Sequence, residues 1–406
     1  MPILKTIVEP SDRIMRLPAS LGSEFSGIKR RLSARGVNLI DLGTLSPSVP
    51  PIVSEFLMRR DPPRPLSRLE ADSVEKRLKE KISEWILSRF DVRFEPDREI
   101  MITTGNTPAV FCCFQAFLGQ GDRAYIPDPS YLLYRSAALA AGAEVVTYEL
   151  SPRTDFLPNL EKLRATGSRS SKVLLVNYPH NPTSSVADEV FYERLVKFAR
   201  KNNLLVLSDA VYNTHVWGRH AHPALAAAPG AKFSSVELFT FSFMFNFPML
   251  KLGFAVGCAE FLSPIGKLLH GFNIRPSGYD LQAADILMDS CEEIVGSVAG
   301  SLGENRQRFE SNIAPLGWEL QPSHATPFVW IKLPRRRLSL NFSRMLLKRT
   351  GVLVLPGISF GEMGEGFMRL SISKPPDVLD AAVSRIREHS KIYQRRYRRQ
   401  GDSSGK

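Results

Sequence analysis

Residues 172–217 read KVLLVNYPHNPTSSVADEVFYERLVKFARKNNLLVLSDAVYNTHVW. Two apolar runs, KVLLVN (172–177) and LLVLSD (204–209), flank an amphipathic stretch from Glu189 to Lys201 that puts Leu195, Phe198 and Ala199 on one face. A run with no polar face reads as a strand covered on both sides, and the helix between two such runs reads as their connection. Asn181 and Pro182 follow the first strand directly, and Asp209 ends the second with Tyr212 three residues on. Both polar groups therefore fall at the carboxyl end of a sheet, where α/β proteins bind ligands. An isolated Asn-Pro is equally a turn, but a buried carboxylate such as Asp209 needs a cationic or hydrogen-bonded partner.

The same alternation extends outward. IMITT (100–104), RAYIP (123–127), EVVTYEL (144–150), ELFTFS (237–242) and GFAVGC (253–258) are further strands of a largely parallel sheet. Ahead of them, Asp72-x-x-Glu75 has the form of a helix-capping box and precedes an apolar stripe of Val74, Leu78, Ile82, Trp85 and Ile86. Beyond them, a long helical region near 280–310 leads to FVWIKL (328–333), a helix at 342–350, VLVLP (352–356), FMRLSI (367–372) and a last helix after Pro375-Pro376-Asp377. Strands and helices in that order suggest a smaller α+β domain.

The chain has 406 residues, 43% of them hydrophobic and 23% charged, which excludes a disordered chain. No apolar run approaches the roughly 20 residues that span a bilayer. The longest, Phe239 to Leu250, carries Pro248. The opening MPILKTIVEPSDR lacks a secretory apolar core, so a cytoplasmic location without membrane contact is expected. Cys112, Cys113, Cys258 and Cys291 have neither zinc-ligand nor disulfide spacing, and read as small buried hydrophobes with no metal site. Lys391 to Lys406 carries +5 of the net +12. No nucleic-acid motif accompanies this tail, so a solvated terminus is the expectation and a nucleic-acid partner is not.

Two more segments complete a pattern. In TTGNTPAVF (103–111) a strand ends at Gly105 and a helix begins at once, with free backbone N–H groups and threonine hydroxyls suited to a phosphate. In GVLVLPGISFG (351–361) and GEGFMRLSIS (364–373), Arg369 lies in an apolar strand, placed to grip a carboxylate or form a structural ion pair. The ordered set of Asn-Pro, Asp-x-x-Tyr, GFAVG, PG-x-x-FG and a following arginine resembles the class I/II aminotransferases, the aspartate-aminotransferase-like branch of pyridoxal-phosphate fold type I. The resemblance runs from LIDLGTLSP (39–47) to the last helix.

That resemblance implies a large domain with a mostly parallel seven-stranded sheet (46–285) and a small α+β domain (286–392). It further implies an N-terminal segment (1–45) packed on the small domain, with the basic tail at 393–406. It implies a homodimer with sites near the subunit interface, an amino-acid or keto-acid substrate, and pyridoxal or pyridoxamine phosphate as cofactor. By position, Gly105, Asn106 and Thr107 would hold the cofactor phosphate, with Thr240, Ser242 and Lys251 beside them. Tyr131 would stack on the ring, and Asn181 and Tyr212 would bond its hydroxyl. Asp209 would pair with the ring nitrogen and keep it protonated, making the ring an electron sink. Arg369, with Asn181 and the backbone near Leu45, would bind the substrate α-carboxylate.

The chain departs from the family at several of these positions. The lysine that holds the cofactor as a Schiff base falls at Phe243, ten residues before Gly253. Lys251 stands where an arginine usually grips the phosphate, Leu45 and Ser184 stand where glycines are usual, and PLSRLEADSVEKRL (65–78) lacks the usual Tyr and Gly. The lysine is both anchor and proton carrier, and phenylalanine is neither. The leading expectation is a lysine-less protein that binds the cofactor, or its amino-acid adduct, non-covalently. A conventional aminotransferase with a relocated base such as Lys251, and a pseudoenzyme or partner subunit, are the alternatives. His215, three residues after Tyr212, reads as a packed or surface histidine.

Overall fold

A computed structural model describes residues 8–18, 22–45, 47–59, 63–218, 222–334 and 337–389. The basic tail lies outside the described residues. A short strand β1 (Ile40–Asp41) precedes seven that build the main sheet: β2 (Ile100–Thr103), β3 (Arg123–Asp128), β4 (Glu144–Glu149), β5 (Ser171–Val176), β6 (Leu205–Asp209), β7 (Ser235–Thr240) and β8 (Gly253–Gly257). Their order is β2-β8-β7-β6-β5-β3-β4. Only β8 runs antiparallel to its neighbours. The opening segment is thus a β5–helix–β6 unit in which Val173 stands beside Leu205.

Its apolar runs are explained by what covers them. Val173 and Leu175 face one core with helix Asn106–Phe117, while Leu174 and Val176 face another with helix Glu189–Lys201. Alternate residues are buried on opposite faces, as a sheet between two helical layers requires. Helix Glu189–Lys201 starts where the Asp188 carboxylate accepts the Phe191 N–H at 2.7 Å.

Helix Arg68–Phe90 corrects one sequence reading. It starts a turn before Asp72, capped by Ser67. The Ser67 hydroxyl accepts from the Glu70 N–H at 3.3 Å, and the Glu70 carboxylate accepts from the Ser67 N–H at 2.8 Å. Ser-x-x-Glu closes the reciprocal box that the later Asp-x-x-Glu only imitates. The predicted stripe, Val74 to Ile86, is buried.

The smaller body holds β9 (Glu319–Leu320), β10 (Phe328–Lys332), β11 (Val352–Leu353), β12 (Leu355–Pro356) and β13 (Phe367–Ser371). Four of them form an antiparallel sheet in the order β12-β13-β10-β9, and β11 pairs with β1. The VLVLP run is therefore two strands split between two sheets, and the helical region near 280–310 is two helices, Gly278–Met288 and Cys291–Ile313. All four cysteines are buried. Among the described residues no helix is long and apolar enough to cross a membrane.

Candidate active site

The parallel strands bring their carboxyl ends to one edge of the sheet. The Asn-Pro loop after β5, the Asp209–Tyr212 turn after β6 and the Thr240–Phe243 turn after β7 all open there, beside the start of helix Asn106–Phe117. The small body reaches the same edge through β10 and β13.

Asp209 is 2% exposed at the end of β6. Its carboxylate accepts the Tyr134 hydroxyl at 2.6 Å, and its backbone carbonyl accepts the Asn177 amide at 2.6 Å. Asn177 in turn accepts the Asn181 N–H at 2.9 Å, which ties the Asn-Pro loop to the Asp209 turn. Burial pushes the Asp209 carboxyl up to about 6, against hydrogen bonds from Tyr134, the Val211 N–H and Asn106 that hold it down. Among the described residues no cation contributes.

Arg369 is 6% exposed on β13. One terminal nitrogen donates to the Asn181 side-chain oxygen at 2.8 Å and the other to the Gly43 carbonyl at 2.9 Å. The guanidinium stands 4.0 Å from the centre of the Phe328 ring and 4.8 Å from that of Phe360. Its Nε has no partner, and no carboxylate is paired with it among the described residues. Burial lowers it to about 10, still charged at neutral pH.

At the third corner, Gly105 has φ +89°, a left-handed conformation that lets helix Asn106–Phe117 begin directly after β2. The Thr104 hydroxyl and the Asn106 side-chain oxygen are buried there without partners. Thr107 and Lys251 are exposed, and the Lys251 carbonyl carbon would lie 3.8 Å from a Cβ on Gly105. Orphaned polar atoms at a helix start, a buried carboxylate without a cation and a buried guanidinium without an anion together fit a phosphorylated pyridine bearing an amino acid.

Phe243 stacks on Tyr212 with ring centres 5.0 Å apart and planes at 20°. Its carbonyl accepts from His215 Nε2 at 2.6 Å. His215 is buried behind that pair, and burial drives its imidazole down to about 4, so it stays neutral. Leu45 and Phe243 pack on the same cluster of Val211, Tyr212 and Phe328. None of the described lysines is buried. Two side chains point away from the opening: Thr240 donates to the Leu252 carbonyl at 3.1 Å and Ser242 to the Leu250 carbonyl at 2.5 Å. Tyr131 is 45% exposed, its ring edge-on to Tyr134 at 6.0 Å.

A family model for aminotransferases of class I and II matches residues 69–386. The chain belongs to that family. Its enzymes use pyridoxal phosphate. Among curated relatives, the LL-diaminopimelate aminotransferase of Natranaerobius thermophilus is 31% identical over 94% of this chain and 100% of its own, and that of Aquifex aeolicus is 30% identical over 93% and 98%. Among solved structures, a probable N-succinyldiaminopimelate aminotransferase from Thermus thermophilus aligns with a TM-score of 0.81 at 30% identity, covering 91% of this chain and 100% of that one. Apo-BacF from Bacillus subtilis aligns with a TM-score of 0.85 at 26% identity, covering 95% and 99%.

In this aminotransferase-family chain the candidate site also holds residues that sequence reasoning passed over. Tyr134 was legible only as the second tyrosine of PSYLLY, three residues after Tyr131 and hence on the same side of a helix. Asn177 was hidden as the last residue of a strand, and Gly43 contributes only a carbonyl. His215 was set aside as packed or on the surface; it is packed, but against Phe243.

Proposed function

We propose that this chain binds pyridoxal or pyridoxamine phosphate, or its adduct with an α-amino acid, without a covalent lysine link. Gly105, Asn106 and Thr107 would hold the phosphate with Lys251, Tyr131 would cover the ring, and Asn181 and Tyr212 would bond its hydroxyl. Asp209 would pair with the ring nitrogen, and Arg369 would take the α-carboxylate. Bound there, the pyridine ring supplies an electron sink. The observation that carries the reading is Arg369: a buried guanidinium with no anion beside it among the described residues and one nitrogen unbonded. Leaving such a charge uncompensated is costly, and a bidentate carboxylate offsets the cost.

Phe243 occupies the lysine position in this reading. It removes a general acid–base worth roughly 100- to 10,000-fold in rate, so rapid transamination is not part of the proposal. Slow or unusual chemistry on an adduct formed without the lysine, within amino-acid or amine metabolism, is. The protein would act as a cytoplasmic homodimer. A conventional aminotransferase is the competing reading, favoured by relatives named as LL-diaminopimelate aminotransferases.

Pyridoxal phosphate is mixed with the purified chain, reduced with borohydride, and any label mapped by mass spectrometry. Spectroscopic binding with no labelled lysine is expected. A stoichiometric label on one lysine, Lys251 for instance, would establish the conventional enzyme. No binding to a folded protein would leave only a pseudoenzyme.

A further inference from the structure

Leu45 and Phe243 are far apart in sequence, and both depart from the family pattern. Their side chains nevertheless meet on one cluster, Val211, Tyr212 and Phe328. Phe243 stacks on Tyr212 at 5.0 Å, and Tyr212 meets Phe328 edge-to-face at 5.4 Å. Phe328 of that cluster also meets the arginine: Arg369 stands 4.0 Å over its ring and donates to the carbonyl of Gly43, two residues before Leu45. The two departures thus meet on one cluster, whose Phe328 ring also lies under the guanidinium. Both side chains are only half-buried, so part of each faces open space rather than the core.

We propose that the amino acid held by Arg369 carries an apolar side chain, aliphatic or aromatic, seated on the wall made by Leu45 and Phe243. The inference rests on the cofactor-adduct reading above and names its substrate class. A carboxylate anchored at Arg369 directs the rest of the amino acid toward groups within a few bonds of it. The side chains of the Leu45–Phe243 wall are hydrocarbon. A ligand side chain ending in a carboxylate or ammonium would lose water against that wall and find no opposite charge on it, whereas an apolar one would bury its own surface and that of the wall. The reversal is built into the ligand's end group, so it discriminates among amino acids that share the same α-carboxylate.

The test uses reduced adducts, which bind without any reactive lysine. The full chain is titrated with pyridoxamine phosphate, phosphopyridoxyl-L-leucine and phosphopyridoxyl-L-aspartate, and Kd is read by calorimetry. The leucine conjugate is expected to bind tighter than the aspartate conjugate by about tenfold or more, the scale on which apolar pockets discriminate. Leu45→Gly should narrow that ratio, because it removes half of the wall. Equal affinities, or tighter aspartate binding, with pyridoxamine phosphate bound, would overturn the inference and leave the cofactor reading standing. No binding of any of the three to the folded chain would overturn the cofactor reading, and the inference with it.

Discussion

Asp209, Arg369 and Phe243 carry the proposed site, and each has a different kind of neighbour. Asp209 has a neutral donor, Tyr134, and Arg369 has two carbonyl-type acceptors and two ring faces. Phe243, proposed above to stand where the family has an amine, has its backbone carbonyl held by His215 at 2.6 Å. If that position is the lysine position, an amine placed there should find the cofactor's reactive carbon. A lysine inserted among Tyr212, Phe328 and Leu45 would also be partly desolvated, which lowers its pKa and raises its free-base fraction. Phe243→Lys is therefore expected to capture pyridoxal phosphate covalently, giving a borohydride-stable mass increment on the peptide containing position 243 where the wild type shows none. A folded F243K protein that binds cofactor without that label would refute the assignment. The sequence makes Asp209 and Arg369 legible because each is a charged residue in an otherwise apolar run, an anomaly that burial must answer, and Asn181 legible as an Asn-Pro directly after a buried strand. It could not show Tyr134 or Gly43, since a tyrosine on a helix and a backbone carbonyl are anomalies nowhere.

Elements reach the site through close backbone crossings more than through side chains. The PG-x-x-FG segment forms a tight turn, Gly357–Phe360, followed by another, Glu362–Gly364. A Cβ on Gly357 would lie 1.8 Å from the Gly364 carbonyl oxygen and 2.7 Å from that of Phe367. The crossing carries Phe360 beneath Arg369, and the Ser130 N–H donates to the Phe360 carbonyl at 2.7 Å. The Asp128 carboxylate accepts from the N–H groups of Glu362 and Met363 at 3.1 and 3.0 Å, joining the small body to the end of β3. Backbone cannot step aside as a flexible side chain can, so Gly357→Ala should cost ~3 kcal/mol or more. Thermal unfolding should show a Tm several degrees lower, or no folded protein, while Gly271→Ala, with nothing within 4 Å, melts like the wild type. An unchanged Tm for Gly357→Ala would show that the backbone at the crossing gives way and that the close approach is not needed for stability. The same contrast explains what sequence patterning reveals of the elements. Strands buried on both faces announce themselves by unbroken apolar runs, so β5 and β6 were plain. VLVLP looked like one strand because period and polarity do not encode which partner a strand pairs with; its halves pair with β1 and β13. The start of helix Arg68–Phe90 was misplaced by a turn because two acidic capping patterns sit in tandem and only contact geometry separates them.

Across the whole molecule, buried titratable groups of two kinds set how stability responds to acid. Burial lowers His180 to about 3, His215 to about 4 and His222 to about 3, from an ordinary 6.5. Between roughly pH 6 and 4.5 the unfolded chain protonates these histidines and the folded chain does not, so unfolding takes up protons and acid destabilises. Burial acts on acids in the opposite sense. Asp209 is raised to about 6, and Glu237, which accepts from Ser208 and the Leu225 and Ala226 N–H groups, to about 7. In the same window these two carboxyls hold protons in the folded chain and release them on unfolding, a contribution that is present at low pH and lost as pH rises through the folded values. Three protons taken up against two released leave a net uptake of about one, so cofactor-free protein should lose roughly 1 kcal/mol of stability per pH unit on acidification through this window. Glu237→Gln removes one released proton and should make the fall about twice as steep. Urea denaturation at a series of pH values across the window measures both slopes. Stability that rises on acidification, or a Glu237→Gln slope no steeper than the wild type, would mean that these groups do not keep in the folded chain the protonation states their burial dictates.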